Sequence, residues 1–237
     1  MYPSRMTLGL GVLLTLLTAC TKDVNSELIQ AAATGSADAV EALLAEGADA
    51  NARAKDGQTA LMVAANSGHA EAARVLLEQG ANLDAKTGDG WTVLIGAAAA
   101  GHAGVVEVLL SKGASLDARA AEGRTALMFA AENGHASALQ ALLDQGAEVD
   151  ARSEDGRTAL MLAADKGQGE VVRFLLEQGA DVNAEAQDGW TALIRAGNSG
   201  HAGVIETLLA KGADVNAEAK DGWTALIGAA FGGHAGA

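Results

Sequence analysis

Asp56-Gly57-Gln58-Thr59-Ala60-Leu61-Met62-Val63-Ala64-Ala65-Asn66-Ser67-Gly68-His69 decides how this chain is read, because nearly the same string returns every 33 residues until the sequence stops. Asp-Gly pairs stand at 56, 89, 155, 188 and 221, and Glu122-Gly123 takes the remaining phase. A threonine follows two positions after each glycine: Thr59, Thr92, Thr125, Thr158, Thr191 and Thr224. A fixed period of this length marks a stacked repeat array and argues against a globular enzyme. An array grows by adding units, so the 237-residue length does not bound the number of domains.

Local chemistry accounts for each unit. Thr59 and its counterparts are good helix N-caps, the hydroxyl accepting a free amide N–H of the first turn. Leu61, Ala64 and Ala65 recur at helical spacing as a buried face, with alanine allowing close approach between units. Gly35, Gly68, Gly101, Gly134, Gly167, Gly200 and Gly233 end this helix where a positive φ is expected. A second helix carries the pairs Leu43-Leu44, Leu76-Leu77, Leu109-Leu110, Leu142-Leu143, Leu175-Leu176 and Leu208-Leu209, and Gly47, Gly80, Gly113, Gly146, Gly179 and Gly212 close it. The remainder is an extended arm and a tight Asp-Gly turn.

In order and in phase, Asp-Gly-x-Thr-x-Leu, Ala-Ala-x-x-Gly-His and Leu-Leu-x-x-Gly-Ala-Asp-Val-Asn-Ala resemble the ankyrin repeat family from Ser26 to the C-terminus. The resemblance implies an all-α repeat solenoid: helix–turn–helix pairs stacked in an arc, with projecting hairpins. Residues 26–55 read as a capping repeat, 56–220 as five full repeats and 221–237 as a truncated one. The family's usual Thr-Pro-Leu-His becomes Thr-Ala-Leu-Met or Thr-Ala-Leu-Ile, and once Thr92-Val93-Leu94-Ile95. The last unit stops on an apolar half-repeat, so residues 222–237 are expected to fray or to belong to a longer reading frame.

Residues 1–19 differ from the rest. Arg5 precedes an apolar run from Met6 to Leu17, too short to span a bilayer as a helix and flanked like a secretory signal. Leu17-Thr18-Ala19-Cys20 resembles the lipobox of bacterial lipoproteins, which implies lipidation at Cys20; the alternative is an ordinary cleaved signal with an incidental cysteine. Cys20 is the only cysteine, which suits an oxidising envelope compartment. Thr21 stands where inner-membrane-retained lipoproteins often carry Asp, so the resemblance favours an outer membrane. Residues 20–25 then form a short tether, the first helical pattern beginning at Ser26. Removing residues 1–19 leaves fifteen basic against thirty acidic residues, a charge of −15. Nucleic acid is an unsuitable partner for so acidic an array, and membrane attachment would depend on Cys20 alone.

His69, His102, His135, His201 and His234 share one phase, with Gln168 replacing the sixth. Each lies in a different unit with no second ligand beside it at metal spacing, so they are expected to bond backbone between adjacent turns. The carboxylates recur with the period too, and no nucleophile or phosphate-loop motif is present. No cofactor or metal is expected, and no enzymatic activity.

Recognition is expected where the frame varies. The residue after each Asp-Gly or Glu-Gly runs Gln58, Trp91, Arg124, Arg157, Trp190, Trp223, residue types enriched in binding hot spots. Trp190 and Trp223 are spaced to clamp one partner side chain; alternatively each indole lies over a neighbouring hairpin, stacked on Arg124 or Arg157. In the extended arm, Arg53, Lys86, Arg119 and Arg152 give way to Glu185 and Glu218, a gradient that would orient a partner unless the column is merely solvated. Phe129, Leu162 and Arg195 share a variable phase with Val63, Gly96 and Gly228 and are expected to floor a groove; Phe174 reads as core. The expected function is non-catalytic protein binding by a monomeric envelope lipoprotein on the periplasmic side, through Trp91, Arg124, Arg157, Trp190, Trp223, Phe129 and Arg195. The alternative is an immunity or inhibitor lipoprotein that neutralises a secreted toxin or envelope enzyme.

Overall fold

Short helices come in pairs: Val24–Thr34 with Ala37–Ala45, Ala60–Asn66 with Ala70–Glu78, Val93–Ala99 with Ala103–Ser111, Ala126–Glu132 with Ala136–Asp144, Ala159–Asp165 with Gly169–Glu177, and Ala192–Ser199 with Ala202–Ala210. Among the described residues, Ala225–Phe231 follows without a second helix. This is a computed structural model that describes residues 23–234 and 236. The expected signal at 1–19 and Cys20 lie outside the described residues. First helices pack on first helices of the neighbouring units and second on second, giving the all-α stacked architecture expected from the period.

Most first helices are only seven residues long, too short to persist alone in water. Two things hold them. The threonine caps each one, as where Thr59 Oγ1 accepts the Met62 N–H at 3.3 Å and Thr191 Oγ1 that of Ile194 at 3.3 Å. Burial supplies the rest: Leu61, Leu94, Leu127, Leu160 and Leu193 are buried, as are the alanines beside them. The N-terminal helix starts two residues earlier than its apolar pattern, because Asp23 caps it through the Ser26 N–H at 3.2 Å. Val24 and Asn25, assigned to the tether by sequence, thus belong to the array.

Side chains spaced by about one period tie the units together. His69, His102 and His201 each donate from Nε2 to a carbonyl of the preceding unit (Ala33, Asn66, Asp165) at 3.0 Å, the role expected for that column. Gln168 does the same to Glu132 O at 3.1 Å. The ring also explains the glycine one unit earlier: a Cβ on Gly35 would meet His69 Nδ1 at 2.3 Å, so that position must lack a side chain as well as adopt positive φ.

The hairpins are joined tip to tip by backbone. Ala121 N–H donates to Asp89 O, Glu154 to Glu122, Gln187 to Asp155 and Lys220 to Asp188, at 2.8–3.2 Å. Where Asp leads the turn, its carboxylate commonly accepts the N–H two residues on, as Asp188 Oδ1 does from Trp190 at 2.9 Å. Glu122 carries one methylene too many for that turn. It sits instead at φ 60, the one non-glycine among the described residues with positive φ, within a 3₁₀ turn at Ala121–Gly123. At the far end Thr224 caps Ala225–Phe231, yet only one side of that helix is covered: Leu226 is 77% and Phe231 82% exposed.

Candidate functional site

In three units the variable residue after the turn folds back along its own first helix, toward the residue eight positions on. Asn66 Nδ2 donates to Gln58 Oε1 at 3.2 Å, Arg124 pairs with Glu132, and Trp223 meets Phe231 edge-on at 5.4 Å between centroids. All six members of this column are half-buried. They lie on the surface shared by hairpins and first helices, so the column is accessible but not extended into solvent.

Two clusters emerge from the candidate residues. In the first, Trp91 packs on Phe129 at 4.6 Å and 45°, and the Arg124 guanidinium lies 4.2 Å from the Phe129 ring centre. Arg124 thus touches Phe129 and Glu132 at once, which fixes its charge above the ring. In the second, Trp190 and Trp223 stack at 5.9 Å and 26°, Phe231 closes on Trp223, and Arg195 lies 5.4 Å from the Trp190 ring centre.

The geometry of these clusters corrects three expectations. Rings at 5.9 Å are an offset-stacked pair in contact, with no gap for a partner's side chain between them. Trp190 and Trp223 form one continuous aromatic plate rather than a clamp. The arginines stacked on aromatics are Arg124 on Phe129 and Arg195 on Trp190, neither of which is the stacking of an indole on Arg124 or Arg157. Arg195, expected to floor an open groove, is only 6% exposed, and Leu162 in the preceding unit only 4%. Burial comes first among the influences that lower the Arg195 guanidinium from its ordinary range, and Arg157 adds to it; Asp188, Asp165 and Asp155 oppose them. Arg195 Nη2 reaches Asp188 Oδ2 at 3.2 Å, while its buried Nε has no hydrogen-bond partner. Its charge therefore lies within the stack, paired with Asp188.

Arg157 joins neither aromatic cluster. Its Nε lies 2.7 Å from Asp155 Oδ2, close enough for an ion pair but off the axis of the N–H. Asp155 is held below the ordinary carboxylate range: burial pushes it up, and bonds from the Ser153 hydroxyl and the Arg157 N–H, with the charges of Arg157 and Arg195, outweigh that. Phe174 is half-buried against the core.

Three of the basic residues along the arms have a structural function. Arg53, Arg119 and Arg152 each point Nη1 at two backbone carbonyls, one in their own turn and one in the next hairpin. For Arg119 these are Gly123 O at 2.6 Å and Arg152 O at 2.7 Å; for Arg152, Gly156 O at 3.2 Å and Glu185 O at 2.5 Å. Glu185 and Glu218 have no donor with which to do this.

Sequence reasoning missed a cavity between the first two hairpins. It has a volume of about 320 Å³ and is lined by Asp56, Gln58, Met62, Asn66, Asp89 and Trp91. The pairing of Gln58 with Asn66, eight residues apart, is the signal that would have located it.

The chain matches the model for ankyrin repeats in three copies, over residues 28–120, 115–186 and 183–237. No curated protein sequence matches it. Among solved structures it is similar to the human ASB11 ankyrin repeat domain, with 30% identity over 85% of this chain and 90% of that one and a TM-score of 0.79. With the capped helix pairs, the interleaved unit contacts and the turn chemistry all in phase with those matches, the chain belongs to the ankyrin repeat family.

Proposed function

We propose that this protein is a lipoprotein of the bacterial envelope, held on the periplasmic side of a membrane, the outer membrane foremost, by lipidated Cys20, and that its array binds a protein partner. Ankyrin arrays are typically non-catalytic binding modules. The observation that carries the binding surface is that solvent-accessible aromatic and arginine side chains gather on the hairpin side of the first helices, in the variable column after the turn and on the helix beside it. Trp91, Arg124 and Phe129 make one patch; Trp190, Trp223 and Phe231 make the other. A rigid, pre-ordered surface of this kind loses little conformational freedom on association. Leu17-Thr18-Ala19-Cys20 supports the anchor.

Two measurements test it. Crosslinking pull-down from membranes should recover a partner that is lost when Trp190 and Trp223 are both changed to Ala and circular dichroism is unchanged; undiminished recovery would remove the aromatic plate as the site. Labelled palmitate should enter the wild-type chain and not Cys20→Ser, and the variant should leave the membrane fraction. Equal labelling of the two removes the lipoprotein assignment.

A further inference from the structure

We propose that the cavity between the first two hairpins receives a cationic side chain of the protein partner, arginine foremost. The proposal rests on the binding-module reading and names the chemistry that one part of the surface selects.

Three features open the cavity. Gly96 occupies the phase that Phe129 and Leu162 fill in later units, so no large side chain projects there, and the room is taken only in part by Asn66, whose Oδ1 lies 2.2 Å from where a Cβ would stand. Tip-to-tip backbone bonding among the described hairpins begins at Asp89, leaving the Asp56 turn outside that chain of bonds. Trp91 packs on Phe129, which is not part of the lining, so the indole serves as a wall rather than a plug.

The lining is suited to one ligand type. Asp56 and Asp89 supply carboxylates, and among the described residues neither enters an ion pair. No lysine or arginine lines the space. Both carboxylates are held in place: Asp56 accepts the Gln58 N–H at 3.0 Å and its side-chain amide at 3.1 Å, and Asp89 accepts the Thr87 hydroxyl. The indole adds apolar surface, with Met62, itself almost wholly buried, at the base. An arginine presents a weakly hydrated planar cation for the carboxylates and indole, and an aliphatic stem for Met62. A bare metal ion is a poorer match, since no group of three or more metal-binding side chains exists among the described residues.

The test uses the full-length, uniformly ¹⁵N-labelled chain titrated with N-acetyl-arginine amide. N-acetyl-citrulline amide, nearly the same shape without the charge, serves as the control. The Trp91 indole signal and the Gln58 and Asn66 side-chain amides should shift saturably with the arginine probe and not with citrulline. In Asp56→Asn/Asp89→Asn one oxygen stays at each position to accept the turn bond and both charges go, with Asp56 also losing its second acceptor for the Gln58 side-chain amide, so the apparent affinity should fall by about tenfold. Absence of a saturable shift, an equal response to citrulline, or unchanged affinity in the double variant overturns the proposal. The pull-down separates this from the wider reading. A partner recovered equally by wild type and the aspartate double variant overturns the cavity's role while the module stands; recovery of no partner by wild type overturns the module, with the titration still deciding the cavity's chemistry.

Discussion

Replacing Arg195 with Leu should stabilise the array. The guanidinium lies 5.4 Å from the Trp190 ring centre and makes one ion pair, 3.2 Å to Asp188, whose side chain is 51% exposed. Losing the pair costs about 0–1 kcal/mol, because Asp188 returns to water easily, and losing the cation–π contact about 0.5–1. Against this stands a buried guanidinium whose Nε is unpartnered, a desolvation cost of about 1–3 kcal/mol. Leu162 shows that leucine packs well in this phase, which contributes roughly 1 kcal/mol more through apolar contact. The net expectation is a gain of about 1–2 kcal/mol, in line with the replacement of buried ions by well-packed apolar side chains. Equilibrium urea unfolding, followed by circular dichroism and tryptophan fluorescence, measures it. Arg195→Ala, which leaves a void, should be less stable than Arg195→Leu. A Leu variant less stable than wild type by more than about 1 kcal/mol would refute the reasoning and show that the carboxylates at Asp155, Asp165 and Asp188 more than repay the burial.

Further outcomes follow from the same geometry. Arg152→Ala removes the donor shared by Gly156 O and Glu185 O and should cost about 1–2 kcal/mol, whereas Glu185→Arg should rebuild the same staple one unit on and raise the thermal midpoint; a neutral Arg152→Ala would show the arm arginines to be solvated decoration. Thr158→Ala, at a fully buried cap that accepts the Met161 N–H at 3.4 Å, should cost about 1 kcal/mol in chemical denaturation. Leu226→Ser should change stability by less than about 0.5 kcal/mol, while Leu160→Ser, at the same phase inside the stack, should cost several. Hydrogen exchange should be fastest in Ala225–Phe231; full protection at Leu226 and Ile227 would contradict the expected fraying. The lowered Asp155 adds stability that is fully present above its unfolded-state pKa and is lost as pH falls through its folded value; Ser153→Ala removes a bond that holds it down, so the variant should be less stable near neutral pH and lose less stability on acidification, and an acid limb as steep as that of wild type would show that the bond contributes nothing.

Much of the fold was legible because each unit's local rules agree: a threonine to start the first helix, a glycine to stop it, leucine pairs for the second, and Asp-Gly to turn the chain. Those rules operate within a dozen residues and need no knowledge of neighbours. Glu122 marks their limit, since only the structure shows that the longer acid abandons the aspartate turn for a positive φ.

The candidate site was legible as a column and not as a surface. From sequence alone Trp190 and Trp223 were two separate indoles, and the arm arginines a charge gradient; in the stack the indoles touch, and the arginines bind carbonyls one period away. Arg195 and Gly96 occupy one phase, yet one is buried beneath an aromatic plate and the other leaves a cavity beside two aspartates. The period determined which positions escape the stacking frame, because a repeat must bury the same face each time. Which of those positions meet solvent was decided only by tertiary structure, because exposure at each depends on what the side chains of the next unit happen to be.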